Sequence, residues 1–317
     1  MRQKARILID PSHSKWVLGG LFNEISQTNL DFFCYPQEIY RLKSLSLFKS
    51  IFTVVSLSVR RPPIIFSSLT PFQNFLKLNP FNLNLKFLWL THFEGVPNKR
   101  IIGTLNKANV IFVHSNSIKS NLQELGVVSK IIPVIGAVNP ELFIQMSTSG
   151  NRIAWVGTAA DRKNPEMLLR FALHNSDLNF RVLGKDWQKH LVFRQLKNIN
   201  NIEYVEIDSK IKSMDFEGCS HYLMLSKVEG GPISLLEALA SGLIPVCAPV
   251  GIAPELLSKC GYEDQLLGTE YNFATIREKC MKTYSIAHRE KVAKYINSYS
   301  VTRLSKIIQS EIQKIYT

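Results

Sequence analysis

The 317-residue sequence lacks the cysteine pattern of a disulfide-stapled or thiolate-metal protein. Its five cysteines are odd in number, scattered and never arranged as Cys-x-x-Cys, which excludes both classes. No run of about 18 uninterrupted apolar residues is present, and no signal-peptide-like run follows the charged start. We therefore expect a cytoplasmic protein in a reducing compartment that does not span a bilayer. The cysteines are Cys34, Cys219, Cys247, Cys260 and Cys280.

Low-complexity tracts and short-period repeats are absent as well. A mean hydropathy of +0.01 and 45% hydrophobic residues exclude disorder as the main state. The length favours two domains of ordinary size.

Positive charge is concentrated in the first part of the chain. The net charge is +13, and residues 1–140 contain 16 basic and 6 acidic side chains. Such a bias indicates either an anionic partner or a contribution to solubility. An anionic membrane surface is one candidate partner.

The segment Arg41–Arg61 is the main candidate for membrane contact. Lys43, Lys49, Arg60 and Arg61 flank or interrupt an apolar stretch there. A basic amphipathic segment can lie on an anionic membrane, which would make the protein peripheral on the inner membrane face. A buried helix followed by a core strand is the other interpretation, and we favour it slightly.

Short apolar runs alternate with helical patterns along the whole chain, which predicts parallel sheets built from βαβ units. The fold class expected is α/β, with two Rossmann-like domains facing across a cleft. The polar stretch 139–151 predicts a connector. The domains are an acceptor domain at 1–140, a donor-nucleotide domain at 141–300 and a terminal helix at 301–317. The predicted strands are 6–9, 64–67, 87–90, 110–114, 130–134, 152–156, 180–183, 202–205, 221–225 and 244–248.

The most informative segment is LSKVEGGPISLLEALASGLIPVCAPVGIAPE, residues 225–255. A strand ends, Glu229, Gly230 and Gly231 form a turn, and a helix carrying Glu237 follows. An acid among apolar neighbours is costly to bury without hydrogen-bond donors, and the hydroxyls of a ribose would supply them. Amides opened by the glycines at the helix start can receive a diphosphate.

This segment resembles that of the retaining, nucleotide-sugar-dependent glycosyltransferases of the GT-B fold, which carry a Glu-x7-Glu motif. The resemblance implies that Glu229 holds sugar hydroxyls, that Glu237 holds the ribose and that the anomeric configuration is retained. It extends to VGTAADRKNP, residues 156–165. There Gly157 would approach the donor diphosphate closely, and Lys163 and Arg162 would neutralise it. Thr158 departs from the family pattern, in which an arginine often follows the glycine, and the resemblance then implies that Arg162 would substitute for that arginine.

Two matches lie in the first domain. Gly19 and Gly20, placed before a helix at 21–26, match the family's glycine-containing loop over the donor or acceptor. His92 matches a histidine at a strand end, with catalytic and structural roles equally open. Residues 29–85, in the domain that would recognise the acceptor, match nothing specific.

The implied activity is metal-independent hexosyl transfer to a polysaccharide or lipid-linked acceptor, with the nucleotide-sugar as co-substrate and no further cofactor. Clustered acids of the Asp-x-Asp kind are missing, so Lys163, Arg162 and helix amides would stabilise the leaving diphosphate. Two alternatives stay open: a non-enzymatic binder of sugar-nucleotides or nucleic acid, and another sugar-phosphate enzyme such as an epimerase. Nucleic acid is the less favoured partner.

Overall fold

The chain folds into two α/β units, each built on a parallel sheet. The computed structural model describes residues 4–9, 17–28, 31–36, 45–79, 83–91, 98–143, 150–207 and 211–316. The first unit contains Met1–Ile135 and Val301–Thr317, and the second contains Gly136–Ser300. The predicted α/β fold class with two Rossmann-like domains is confirmed. The division lies after residue 135, compared with 140 in the sequence analysis, and the C-terminal helix returns to the first unit.

The first unit has six parallel strands in the order β2-β1-β3-β4-β5-β6. The strands are β1 (Ala5–Ile9), β2 (Phe32–Pro36), β3 (Ile64–Phe66), β4 (Lys86–Trp89), β5 (Val110–Val113) and β6 (Lys130–Pro133). The helices are α1 (Val17–Thr28), α2 (Leu45–Arg60), α3 (Leu69–Leu78), α4 (Lys99–Leu105), α5 (Asn116–Glu124) and, at the C-terminus, α12 (Val301–Tyr316).

The second unit has five parallel strands in the order β11-β10-β7-β8-β9. The strands are β7 (Arg152–Thr158), β8 (Asn179–Lys185), β9 (Ile202–Glu206), β10 (Cys219–Met224) and β11 (Ile244–Cys247). The helices are α6 (Pro165–His174), α7 (Leu191–Leu196), α8 (Ile233–Ala240), α9 (Ala253–Lys259), α10 (Phe273–Cys280) and α11 (Ile286–Asn297).

Every strand predicted from the sequence is present. Strands such as β5 and β11 are buried along their whole length, because helices cover parallel sheets and Ile, Val and Phe can then point to either face. Strand β2, at the edge of its sheet, was missed. Its sequence FFCYP is short and ends in proline, which sequence patterns associate with breaks.

Helix α1 includes the two glycines that the family resemblance places in a loop before residue 21. It starts at Val17, so Gly19 and Gly20 lie in its first turn, and the expected loop before a helix at residue 21 is wrong. The first amides of a helix have no partner within it. The helical backbone therefore does not by itself exclude the binding role predicted for Gly20.

Two helices of the first unit begin at side-chain caps. Ser115 and Asn98 accept hydrogen bonds from amides in the first turns of α5 and α4, as short polar side chains do before helices. Gly126, with φ of +91°, follows α5, as is usual at helix C-termini. Among the helices in the described ranges, none is both long and apolar enough to cross a membrane.

Candidate functional site

The predicted binding residues of the second unit meet at the point where the strand order of its sheet reverses. From β7 the chain proceeds outward through β8 and β9, and then returns to the other side of β7 with β10 and β11. Ligands of parallel α/β sheets bind at the carboxyl ends of the strands at such a point. Gly157 is the penultimate residue of β7, and Glu229 follows β10. The fold therefore brings two segments distant in sequence to one edge.

An ion-pair cluster occupies this edge. The Lys163 Nζ atom lies 2.6 Å from Glu229 Oε1, and Arg162 Nη1 lies 3.1 Å from the same oxygen. Ser226 Oγ donates a hydrogen bond to that oxygen at 3.0 Å. The Glu229 side chain is 7% exposed and that of Lys163 11%, whereas Arg162 is 31% exposed. Three donors thus converge on one carboxylate oxygen.

Backbone contacts fix the loops that carry these side chains. The amide of Lys227 donates to the carbonyl of Arg162 at 2.7 Å, which joins the loop after β7 to the loop after β10. The Trp187 indole N–H donates to the carbonyl of Gly157 at 2.8 Å. Gly157 has φ of +152°, and a Cβ there would lie 3.3 Å from Lys163 Cε. The glycine therefore leaves room for the buried lysine stem.

The electrostatics keep Glu229 ionised. Burial raises the pKa of its carboxyl, but the charges of Lys163 and Arg162 and the hydrogen bonds from Lys163 and Ser226 outweigh burial and bring it below the ordinary value of 4.5. Because the folded pKa is depressed, the pairing stabilises the fold above pH 4.5 and is lost as the pH falls through the folded pKa. Two cations face one carboxylate, so the cluster carries a net positive charge that suits an anion.

Glu237 lies half-buried on α8, beyond the turn that holds Glu229. Tyr222, a fully buried residue of β10, hydrogen-bonds through its hydroxyl to Ser234 Oγ at 2.8 Å. Burial raises the pKa of Tyr222, and the negative charges of Glu229 and Glu237 raise it further. Both acids of the spacing motif therefore act on the same tyrosine, which sequence reasoning missed because tyrosine is ordinary in a core strand.

The backbone around Gly251 packs against the turn at Gly230 and Gly231. The sequence analysis did not identify Gly251 as part of the site. The amide of Ile252 donates to the Gly230 carbonyl at 2.8 Å. Gly251 has φ of +59°, and a Cβ there would lie 2.4 Å from Gly230 O and 2.7 Å from Glu229 O. A glycine after the buried strand β11 was the available signal.

We expect Gly251→Ala to destabilise the protein by about 2–4 kcal/mol, because left-handed strain and overpacking against backbone add together. Gly103→Ala is the matched control: Gly103 lies inside α4 with nothing within 4 Å of an added Cβ. That change should be neutral or stabilising by up to about 1 kcal/mol. Urea unfolding of both variants measures the difference, and equal stabilities would contradict this account of the turn.

Asn164 sets the direction of the chain immediately after Lys163. It has φ of 59° and precedes Pro165, although a residue before proline is normally held in extended conformations. Its side chain hydrogen-bonds Tyr271. Asparagine tolerates this left-handed conformation better than other non-glycine residues.

We expect Asn164→Val to lower the sugar-transfer activity implied by the family resemblance by about tenfold or more. A β-branched residue is strained in the left-handed region, so the backbone would leave it and Lys163 would move. Asn164→Gly should retain most of the activity, since glycine adopts positive φ without strain. Steady-state kinetics of the two variants, with circular dichroism as a fold check, tests this. Equal activity of both variants would show that the conformation at Asn164 does not position Lys163.

Two of the predicted site residues, Gly20 and His92, belong to the first unit. Gly20 lies in α1 of the first unit. His92 falls outside the described residues. The roles suggested for both stay predictions.

One group within the described part of the chain has the composition of a metal site. Asp161, Glu166 and His190 place their ligand atoms within 4.8 Å of one another. However, His190 Nδ1 accepts the amide hydrogen bond of Val192 at 3.2 Å, which puts the proton of the neutral ring on Nε2, facing Asp161 at 3.6 Å. The ring is therefore set to donate to the carboxylates, and binding a metal through Nε2 would cost the bond to Val192.

A comparison with protein families gives a match within the second unit. Residues 144–298 match the family model described as glycosyl transferases group 1. Among curated proteins, no relative matches the sequence.

Three solved structures are similar over most of this chain. HepE of Anabaena in complex with UDP-glucose has a TM-score of 0.75 at 11% identity, with 99% of this chain and 100% of that chain covered. Sucrose-phosphate synthase from Thermosynechococcus elongatus has a TM-score of 0.72 at 12% identity, with 99% of each covered. The pneumococcal O-GlcNAc transferase GtfA in complex with UDP and GlcNAc has a TM-score of 0.63 at 14% identity. That similarity covers 84% of this chain and 60% of the pneumococcal chain.

Proposed function

We propose that this chain transfers a hexose from a UDP-sugar to an acceptor hydroxyl with retention of anomeric configuration. Its residues 144–298 match the family model of the group 1 glycosyl transferases, and it has the GT-B fold. The observation that carries the proposal is the cluster of Lys163, Arg162 and Glu229 at the switch point of the second sheet. UDP is the proposed nucleotide because UDP or UDP-glucose is the bound compound named for two of the similar structures.

Lys163 and Arg162 receive the diphosphate of the donor. Together they exceed the charge of Glu229 by one, and Arg162 is exposed enough to meet a ligand. When the donor binds, its phosphate oxygens take over part of the interaction that Glu229 makes with both cations. The cations then neutralise the charge that grows on the leaving diphosphate, which is the largest electrostatic demand of the reaction. No metal is needed for this role.

Glu229 and Glu237 bind the remaining polar parts of the donor. Glu229, held ionised by its cationic neighbours, accepts hydrogen bonds from hydroxyls of the transferred sugar. Glu237, half-buried on α8, accepts those of the ribose. Gly157, Gly230 and Gly231 let the donor approach the backbone closely. These roles rest on the resemblance of residues 225–255 and 156–165 to the family.

In the proposed reaction the bond between the anomeric carbon and the diphosphate oxygen breaks, and the acceptor oxygen bonds to that carbon on the same face. The acceptor proton passes to the departing phosphate, so the products are UDP and an α-glycoside of unchanged configuration. The cluster already commits the carboxylate of Glu229 to Lys163, Arg162 and Ser226. Glu229 is therefore poorly suited to act as the base. Because the departing phosphate takes the acceptor proton, the proposed reaction needs no carboxylate base.

The acceptor is proposed to be a polysaccharide or a lipid-linked glycan, recognised by the first unit. Residues 1–140 contain 16 basic and 6 acidic side chains, a bias that attracts phosphate-bearing acceptors. An anionic membrane is the surface on which a lipid-linked acceptor would be presented, which makes the protein peripheral on the inner membrane face.

A donor panel tests the proposal. Calorimetry with UDP-, ADP- and GDP-sugars and with a single-stranded oligonucleotide should give heat with a UDP-sugar and none with the oligonucleotide. Incubation of the preferred donor with candidate acceptors should release UDP, and proton NMR should report the α-linkage of the product. Oligonucleotide binding without any nucleotide-sugar binding would instead favour the non-enzymatic alternative, and a β-linked product would exclude retention.

A further inference from the structure

Helix α2 of the first unit presents an apolar face to solvent. Among its side chains, Phe52 is 77% exposed, Val59 76%, Val55 55% and Ile51 41%. These four residues are called the outer face of α2 below. At 100° per residue they fall within a stripe about 100° wide. Isolated exposed apolar residues are common, but a contiguous stripe of this kind marks an interaction site.

The opposite side of the same helix is apolar too and is buried. Val54 and Leu57 are only 2% and 5% exposed and belong to the core of the first unit together with Phe72 and Phe75 of α3. A surface helix of a soluble protein normally carries polar residues away from the core. Among the described residues, the core contacts of α2 lie on this side, so they do not explain why the outer face is apolar.

The orientation of α2 is fixed by hydrogen bonds at its C-terminal end. The side-chain amide of Asn84, which is buried, donates to the carbonyls of Leu57 and Pro62 at 3.1 and 2.9 Å. The side-chain amide of Asn79 donates to Ser58 Oγ at 2.5 Å. These bonds attach the helix to the loops beside α3, so the outer face cannot turn toward the core without breaking buried hydrogen bonds.

Positive charge borders the outer face. Arg60 and Arg61 are exposed at the C-terminal end of α2, and Leu45–Arg60 contains no acidic residue. A second copy of this chain packed on the same face would bring like charges together, as a symmetric interface repeats each residue on both sides. Anionic lipid headgroups complement the arginines, and the acyl region accepts Phe52 and Val59.

We infer that the outer face of α2, with Arg60 and Arg61, docks the first unit onto an anionic lipid bilayer. The helix lies parallel to the membrane, with its apolar stripe at the boundary between headgroups and acyl chains. A 16-residue helix is about 24 Å long, shorter than the hydrocarbon core it would have to cross. The inference stands on α2 alone and does not depend on the proposed sugar transfer.

Vesicle flotation tests the inference with the full chain. The protein should float with vesicles of phosphatidylcholine mixed with phosphatidylglycerol and remain in solution with vesicles of phosphatidylcholine alone. The double variant Phe52→Ser/Val59→Ser should bind at least about tenfold more weakly. Arg60→Gln should weaken binding about fivefold and lower its dependence on salt.

Val128→Ser is the matched control, because Val128 is 83% exposed in the first unit but lies outside α2. It should bind vesicles like the wild type. Thermal unfolding midpoints and affinity for UDP should be the same in all of these proteins, which separates loss of docking from misfolding and from failure of the donor site. Equal binding to both vesicle types, equal loss in the Val128 variant, or wild-type self-association that the double variant abolishes would overturn the inference.

Discussion

Replacing Lys163 with alanine is expected to lower kcat for sugar transfer by about 100- to 1000-fold, the usual cost of removing one preorganised group that stabilises a developing negative charge. Lys163 is almost fully buried with its ammonium 2.6 Å from Glu229, so water replaces it poorly. Because its charge matters most as the diphosphate departs, the loss should appear mainly in kcat, with a smaller change in the KM for the donor. Steady-state kinetics with saturating acceptor measures both constants.

Two variants calibrate the Lys163 result. Lys189→Ala removes a lysine of the same unit that is 79% exposed and paired with Asp186, and it should leave kcat within about twofold of the wild type. Arg162→Ala should reduce kcat less than Lys163→Ala, since Arg162 is more exposed. A Lys163→Ala enzyme with near wild-type turnover would remove this lysine from the reaction.

Replacing Glu229 with glutamine should lower sugar transfer without lowering the affinity for UDP. Transfer is expected to fall about 10- to 100-fold, because a charge-assisted hydrogen bond to the sugar is lost. Affinity for UDP alone should stay equal to that of the wild type or increase several-fold, because Lys163 and Arg162 are no longer neutralised by the carboxylate. Calorimetric titration with UDP and with the UDP-sugar measures this difference.

The matched control is Glu203→Gln. Glu203 lies near Arg152 and Arg181, at 3.0 and 3.7 Å, in the same unit but outside the cluster. It should change neither affinity. A fall in UDP affinity for Glu229→Gln would mean that the carboxylate holds the cations in place for the phosphate and does not compete with it.

The Glu229→Gln variant also has an expected pH signature. Since the folded pKa of Glu229 is lowered, the wild type loses the stability of this ion pair only as the pH falls below 4.5, whereas the variant has no such contribution to lose. The difference in free energy of unfolding between the two proteins should therefore narrow below pH 4.5. Urea unfolding at neutral and acidic pH provides the comparison.

Much of the fold followed from local patterns. Strands such as β5 and β11 are runs of apolar residues between turn signals, and burial on both faces leaves such runs readable without any partner. Strand β2 was not readable. Pairing with β1 decided its conformation against a weak local signal.

For the site, the sequence alone determined which residue types were available: the segment 225–255, with Glu229 and Glu237 eight positions apart, and the lysine and arginine after β7. Only the tertiary structure decided that Arg162 and Lys163 point at Glu229, although Arg162 precedes it by 67 residues. The physical reason is the reversal of strand order in the second sheet, which makes β7 and β10 parallel neighbours and sets their carboxyl ends side by side. The same holds for α2, whose sequence fits both a buried helix, the interpretation slightly favoured above, and a surface helix. Packing of Val54 and Leu57 on the core, which no local pattern encodes, left Phe52 and Val59 facing solvent.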